Sequence, residues 1–316
     1  MDETTVSVIM PCYNNEEGVS SAIESALNQT HEPMEVIVVD DGSTDASLER
    51  IQSYEERIRW NTGPNRGACH ARNKGLDMAS GDFVKFLDAD DWLYPGAIEH
   101  QVAQTAALQE SHHVVFGDAE YVTPKGTVVR ETTFEAVPDE DNRILHILQR
   151  NLQTALPLHR RELLEAVGGF DESLPRAQEY DLHFRLTGHG ARFVYRPALI
   201  VRVLEHGDPD RISNQDHFSG SPRGRLERIQ HRATVAEECG LLDERLRAHL
   251  ARDAWHGGRK ALRAGFSLVA DEYFETAKSL HENDYIASSS EIYRWMVKLA
   301  GPQLSERLVT FARRVF

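Results

Sequence analysis

The chain has little cysteine, no long apolar run and no excess of basic charge, and each deficit removes a class of function. Three cysteines, Cys12, Cys69 and Cys239, stand far apart in 316 residues. Their odd number and spacing fit neither a disulfide framework nor a zinc site, and match small packing residues in a reducing compartment. No stretch approaches the ~20 apolar residues of a membrane-spanning helix. The acidic start Met1-Asp2-Glu3-Thr4 runs straight into a strand pattern without signal-peptide character. The expectation is a cytoplasmic protein, at most attached peripherally at the inner face of a membrane. A formal net charge of −15 argues against a general nucleic-acid binder, which needs a basic face. A nucleotide ligand stays open, because a divalent cation can bridge acidic residues to phosphate.

What is present is an ordinary globular composition long enough for one large domain and an appendage. Strand and helix signals alternate through the first half. The run Val6-Ser7-Val8-Ile9-Met10 reads as a strand stopped by Pro11, and Val19, Ala22, Ile23, Ala26 and Leu27 have helical spacing. Residues 35–40 read as a second strand, followed by Ser43, Thr44 and Asp45 as candidate caps for a helix over 46–54. A helix over 68–79 leads to a strand over 83–87. This βαβαβ order predicts an α/β fold with a mostly parallel sheet and right-handed crossovers. Further on, the pattern predicts a strand at 114–116, a helix over 139–150, a helix from Arg160, one over 182–188 and a strand over 198–204. From about Gly224 the chain is rich in Arg, Glu, Ala and Leu. It reads there as helices broken at Gly257-Gly258, at Gly265 and at the Asn283-Asp284 pair. The expected domains are 1–220 and a helical extension over 221–316.

The chemistry concentrates at strand ends. In Phe86-Leu87-Asp88-Ala89-Asp90-Asp91 three carboxylates follow an apolar run, at the place where open α/β sheets bind ligands. Asp88 and Asp90 are two apart, so an extended chain points both to one side. Two hard oxygen donors there suit Mg²⁺ or Mn²⁺ holding a diphosphate; a solvated acidic turn is the alternative. Pro11 and Tyr13 end the first strand, with Tyr13 offering an aromatic face to a base. Asp40 and Asp41 end the second, where a carboxylate can accept from a pyrimidine imide N–H. Turn and N-cap chemistry also accounts for residues of this kind.

Four segments in order resemble family 2 glycosyltransferases: Val8-Ile9-Met10-Pro11-Cys12-Tyr13-Asn14; Val38-Val39-Asp40-Asp41-Gly42-Ser43-Thr44-Asp45; Asn65-Arg66-Gly67 with Ala71-Arg72-Asn73; and Phe86-Leu87-Asp88-Ala89-Asp90-Asp91. The resemblance covers roughly residues 5 to 215. It implies a GT-A fold, a nucleotide-sugar donor, a divalent cation and inversion at the anomeric centre. Carried over by residue, it places Pro11, Tyr13 and the adjoining Asn14 beside the nucleobase and ribose, and Asp41 on uracil with Asp40 beside it. Asp88 falls at the ribose and metal side and Asp90 as metal ligand. Arg72 falls near the nucleotide, with helix-surface salt bridging as its alternative.

A second half of the pattern supplies the base. The family's Gly-Gly-Phe-Asp-Glu turn and Glu-Asp-x-Asp-Leu-x-x-Arg segment match Gly168 to Glu172 and Gln178-Glu179-Tyr180-Asp181-Leu182-His183-Phe184-Arg185. Gln178 stands in place of the first acidic residue and Glu179 in place of the usual Asp. Glu179 is the preferred general base. Asp181 competes, but its four-residue spacing to Arg185 favours an intrahelical ion pair. His206 matches the closing segment that can complete the metal site, with an unpartnered loop histidine as the alternative. The resemblance implies a UDP-sugar donor, with a dTDP-sugar open because thymine has the same imide, and a saccharide or lipid-linked acceptor. Two other readings remain. A degenerate member would bind nucleotide without turnover, with Gln178 its only sequence support. A nucleotidyltransferase would need a glycine-rich basic loop after the first strand, and Pro11 to Glu17 has neither glycine nor basic residue. The stripe from Leu304 to Phe316, interleaved with Arg307, Arg313 and Arg314, fits packing on its own domain or a second copy, or an anionic membrane surface.

Overall fold

Continuous apolar runs become the buried centre of a parallel sheet. The computed structural model describes residues 4–108, 112–132, 134, 152–174, 178–205, 221–282, 286 and 291–315. The chain forms two compact units, Met1–Gly207 and Asp208–Phe316. The expected boundary at 220 differs from this division by a segment that lies outside the described residues.

In the first unit, β1 (Val6–Cys12), β2 (Met34–Asp40), β3 (Arg59–Thr62), β4 (Phe83–Phe86) and β8 (His159–Arg160) form a five-stranded sheet in the order β3-β2-β1-β4-β8. All its pairings are parallel except β4 with β8. Helices α1 (Val19–Leu27), α2 (Ser47–Gln52) and α3 (Ala68–Met78) connect the strands. The first helix buries Val19, Ala22, Ile23 and Ala26, the predicted face. Pro11 does not stop β1, which runs on to Cys12. The Ile9 carbonyl accepts from Leu87 on the β4 side (3.0 Å), and side alternates along a strand. The missing N–H of Pro11 therefore points where pairing with β4 has already ended at Ile9, so no ladder bond is lost.

A second sheet, in the order β5-β9-β6-β7, completes the unit. It joins β5 (Trp92–Leu93), β6 (His113–Val122), β7 (Val128–Thr132) and β9 (Arg192–Leu204), with α4 (Ala97–Ala107), α5 (Arg161–Ala166) and α6 (Gln178–Gly188) in the same unit. Here β6 and β9 pair in parallel, and both outer strands are antiparallel. The strands predicted at 114–116 and 198–204 are the visible parts of these longer ones. The helix expected over 139–150 lies outside the described residues.

The second unit is helical: α7 (Pro222–Glu238), α8 (Glu244–Arg263), α9 (Ser267–Leu280) and α10 (Glu291–Val315). Ser221 and Asp243 cap the first two, accepting from Gly224 (3.0 Å) and Leu246 (2.7 Å). Gly257 and Gly258 are not breaks, because α8 runs through them. A Cβ at Gly257 would lie 2.3 Å from the Tyr273 ring, and one at Gly258 2.7 Å from Phe274. The pair is spent on close approach of α8 and α9. Gly265 (φ +90°) does end α8, and Gly301 (φ +75°) before Pro302 kinks α10. Asn283 and Asp284 lie outside the described residues. Leu304 and Leu308 are exposed, as are Trp295 and Leu299 on the preceding turns.

Candidate functional site

The carboxyl ends of β1, β2 and β4 come together with the start of α3. The β1 and β2 loops are fastened to each other by side chains. Asn14, held at φ 47°, receives the Thr44 N–H on its Oδ1 (2.8 Å), and its own N–H donates to Ser43 Oγ (3.0 Å). The Asn15 N–H donates to Ser47 Oγ (2.7 Å). Asn14 is thus placed as a fastener of the loop. Tyr13 beside it is half exposed, with its ring available to stack on a flat ligand. The expected caps of α2 act indirectly. Asp45 accepts from Ser47 N–H (2.9 Å), while Ser43 and Thr44 serve the Asn14 contacts.

Asp40 and Asp41 are both buried and both anchored by short donors. Asp40 accepts from Thr62 Oγ1 (2.6 Å) and the Ser43 N–H (3.2 Å). The two oxygens of Asp41 receive the N–H groups of Arg66 and Gly67, at 2.9 and 2.8 Å. These N–H groups belong to the N-cap of α3, Gly67, and the residue before it. Each carboxylate oxygen retains a second lone pair for a ligand N–H. Gly42 (φ +77°) admits the close approach of the 63–65 segment, where any Cβ would lie 2.7 Å from Asn65 N.

Beyond β4 the chain turns rather than extends: the Asp91 N–H donates to the Asp88 carbonyl (3.0 Å). Asp88 and Asp90 therefore do not share a side by extended geometry, and the turn sets where each one lies. Asp91 is buried and its Oδ1 receives the Leu204 N–H (3.1 Å), pinning the end of β9 to this turn. Gly18 lets the β1 loop close on it, since a Cβ there would lie 2.9 Å from the Ala89 carbonyl. Asp88 and Asp90 are partly exposed. Among the described residues no group of three or more His, Cys, Asp or Glu side chains forms a cation cage. Two hard carboxylates with ligand phosphates completing the shell is the donor set that Mg²⁺ and Mn²⁺ accept, so these residues fit such a cation. His206 lies outside the described residues.

Arg72 is not on the helix surface. It is 7% exposed, donating from Nη2 to Asp88 Oδ1 (2.7 Å) and from Nη1 to Gln178 Oε1 (3.1 Å). Burial works against its charge, and the Asp88 carboxylate, with Glu179 also nearby, more than offsets this and holds the guanidinium above its ordinary pKa. Glu179 sits in the first turn of α6, partly exposed. Asp181, 4% exposed, accepts from Arg185 Nε (2.9 Å), while Arg185 Nη1 donates to the carbonyls of Val167 and Gly169. The Asp181–Arg185 pair thereby clamps the Gly168-Gly169 turn to α6. Asn73 docks the same turn onto α3, donating to Phe170 O and accepting from Phe170 N–H. Burial pushes the Cys12 and Cys69 thiols up to about 12, which keeps both protonated and out of nucleophilic chemistry.

An α/β sheet with carboxylates gathered at its carboxyl edge, and a further acid on a helix near the same guanidinium, is an open α/β enzyme fold of the kind that takes its ligand at the carboxyl ends of the strands. Residues 7–159 match the family described as glycosyl transferase family 2. An uncharacterized glycosyltransferase of Rickettsia conorii is 35% identical over 220 residues, 67% of this chain and 36% of that protein. The chondroitin synthase of Pasteurella multocida is 27% identical over 219 residues, 67% of this chain and 22% of that one. A crystal structure of S. aureus TarS residues 1–349 in complex with UDP-GlcNAc has a TM-score of 0.62 at 22% identity, covering 92% of this chain and 82% of that one. The chain belongs to glycosyltransferase family 2 through its first unit and has the GT-A fold. It spans 36% of the length of the Rickettsia conorii relative. No helix among the described residues is long and apolar enough to cross a membrane.

Proposed function

We propose that this chain transfers a sugar from a nucleoside diphosphate donor, a UDP-sugar ahead of a dTDP-sugar, to a hydroxyl of a saccharide or lipid-linked acceptor with inversion. The observation that carries the reading is the Arg72 guanidinium, which holds the donor-side carboxylate Asp88 on one side and the start of the Glu179 helix on the other. Tyr13 offers a stacking face, and the anchored Asp40–Asp41 pair offers an acceptor for an imide N–H. The UDP-GlcNAc held by the structurally similar S. aureus protein supports this choice of donor.

Asp90, with Asp88 beside it, would hold Mn²⁺ or Mg²⁺, which when bound supplies charge neutralisation for a leaving diphosphate. Glu179 takes the proton from the acceptor hydroxyl as its oxygen attacks the anomeric carbon from the face opposite the leaving group. The C–O bond to the acceptor forms as the bond to the diphosphate oxygen breaks, so one displacement inverts the centre. Asp181 stays with Arg185 and takes no proton. Placing the reactants contributes more here than any covalent step.

The test is calorimetric titration of UDP, dTDP and GDP with Mn²⁺, with and without EDTA, on wild type and Asp90→Ala. Metal-dependent binding of UDP or dTDP, reduced roughly a hundredfold or more by the substitution, is the expected result. A folded wild-type protein that binds none of the three overturns the donor assignment.

A further inference from the structure

Gln178, the departure from the family pattern, uses both ends of its amide. Its Oε1 accepts from Arg72 Nη1 (3.1 Å) and its Nε2 donates to the Leu174 carbonyl (3.2 Å). The amide orientation is forced, because a guanidinium only donates and a carbonyl only accepts. A glutamate at this position would set a carboxylate oxygen against the Leu174 carbonyl. It would also give Arg72 a second anion to satisfy besides Asp88. Arg72 is buried, stacks over Phe170 at 5.3 Å and donates to Asp88 and Gln178 from its two terminal nitrogens. One guanidinium therefore spans from the turn after β4 to the first residue of α6, and the Leu174 bond ties the same residue to the segment leading out of the Gly168-Gly169 turn.

We infer that Gln178 is a positioning residue: through Arg72 it fixes the first turn of α6, and with it Glu179, relative to the Asp88 turn. This rests on the transferase reading above and adds to it a reason for the amide. Gln178 touches neither donor nor acceptor in this scheme, and acts by setting the distance between the donor-side carboxylates and the base. The departure from an acidic residue is then a matched hydrogen-bond partner, and it no longer supports a degenerate, non-catalytic member. Burial of the guanidinium strengthens the bond to each partner, since water does not compete there.

The experiment is a cycle of Gln178→Met, Arg72→Lys and the double variant. Each is read by kcat and donor KM, by UDP affinity, and by hydrogen exchange of the 86–92 and 178–184 segments. A displacement of the base by about 1 Å is worth up to about a hundredfold. Gln178→Met is therefore expected to lower kcat roughly ten- to a hundredfold while UDP affinity stays within about threefold. The double variant should lose no more than Arg72→Lys alone, because both act through one bridge. Exchange should rise in both segments. Turnover of Gln178→Met within about twofold of wild type, or losses that multiply in the double variant, overturns the bridge while leaving the transferase reading standing. If wild type binds nucleotide but turns over no tested donor, exchange decides. A rise in both segments supports the bridge, and a rise confined to 178–184 overturns it. Gln178→Glu serves as the second variant should the methionine fail to fold. It keeps an acceptor for Arg72 and loses only the Leu174 bond, so kcat within about threefold of wild type and unchanged exchange at 86–92 are expected, and a fall in kcat of about tenfold or more overturns the bridge.

Discussion

Three residues along one strand separate two opposite treatments of charge. At Asp88, just past β4, the carboxylate is partly exposed and paired with a buried guanidinium. At Lys85, within β4, the side chain is fully buried and bonds only neutral acceptors: Gln101 Oε1 (2.8 Å) and the carbonyls of Leu156 (3.0 Å) and Pro157 (3.4 Å). Burial drives the Lys85 pKa well below its ordinary value. Close by, His159 and His183 stack at 5.9 Å, both fully buried. Neither ring nitrogen of His159 nor Nε2 of His183 has a hydrogen-bond partner among the described residues. The sheet thus holds Asp40, Asp41 and Asp88 at its carboxyl edge, where donors from the backbone, Thr62 and Arg72 meet them. In its interior it accepts ionisable side chains as packing and tethers, with burial opposing the charge of Lys85 and His159. Position on the strand decides between site and scaffold, and residue type does not.

The sharpest way to break that comparison is within α6, where a proposed base and a buried acid lie two residues apart. Glu179→Gln is expected to lower kcat by about 10²–10⁴-fold, with UDP affinity and melting temperature near wild type. Asp181→Asn should do the reverse. It removes the charge from the one oxygen, Oδ2, that takes both Arg185 Nε and Nη2. Arg185 still holds the Val167 and Gly169 carbonyls, and the substitution should cost about 1–3 kcal/mol of stability. Steady-state kinetics and urea unfolding on the same preparations separate the two. A loss of turnover in Asp181→Asn that exceeds its loss of folded protein would move the base to Asp181.

The same contrast explains what could be read from the chain. Strands β1, β2 and β4 were legible because burial on both faces leaves nearly continuous apolar runs, interrupted only by Ser7, Glu35 and Lys85, and carboxylates at their ends mark the candidate site. Strand β3, Arg59-Trp60-Asn61-Thr62, has no such run and owes its place to pairing with β2. Only the apolar end of β9 shows in sequence, since Arg192, Arg196 and Pro197 interrupt the pattern. The glycine pair in α8 reads as a break because a packing requirement and a conformational one look alike in one dimension. Within the site, the acids and the helix bearing Arg72 were visible. The guanidinium bridge was not, because residues 72, 88 and 178 meet only through the fold. The side-chain fastening of Asn14 to Ser43 and Thr44 escaped for the same reason. The Ala71-Arg72-Asn73 segment was the available signal: its arginine reaches Asp88 and its asparagine docks the Gly168-Gly169 turn.

A smaller effect tests the scaffold side directly. Lys85→Met removes the three hydrogen bonds to Gln101, Leu156 and Pro157 and leaves acceptors behind, although Gln101 Nε2 still donates to the Leu156 carbonyl (2.9 Å). The expected cost is about 1–3 kcal/mol in urea unfolding, with kcat per folded molecule unchanged. A large fall in kcat at full stability would make Lys85 part of the site and erase the distinction drawn along β4.

The smallest effect lies in the pH dependence of stability. Burial holds His183 down to about 3, and burial, with His183 and Lys85 nearby, holds His159 well below its ordinary value. Both are neutral in the folded protein and titrate near 6.5 when unfolded. Below that value the unfolded chain binds more protons than the native one, so stability rises with pH in this window. The contribution is present in full above about 6.5 and is lost as pH falls toward 3. His183 packs edge-on against Phe193 (4.9 Å), so His183→Phe keeps an aromatic ring in the space and removes one titrating group. Between roughly pH 6 and pH 4 its unfolding free energy should fall less steeply than that of wild type, by about 1.4 kcal/mol per pH unit. Urea midpoints at pH 7, 5.5 and 4.5 measure the difference. Equal slopes for the two proteins would mean that His183 already carries its proton in the folded state, and the interior of the sheet would then hold charge as its edge does.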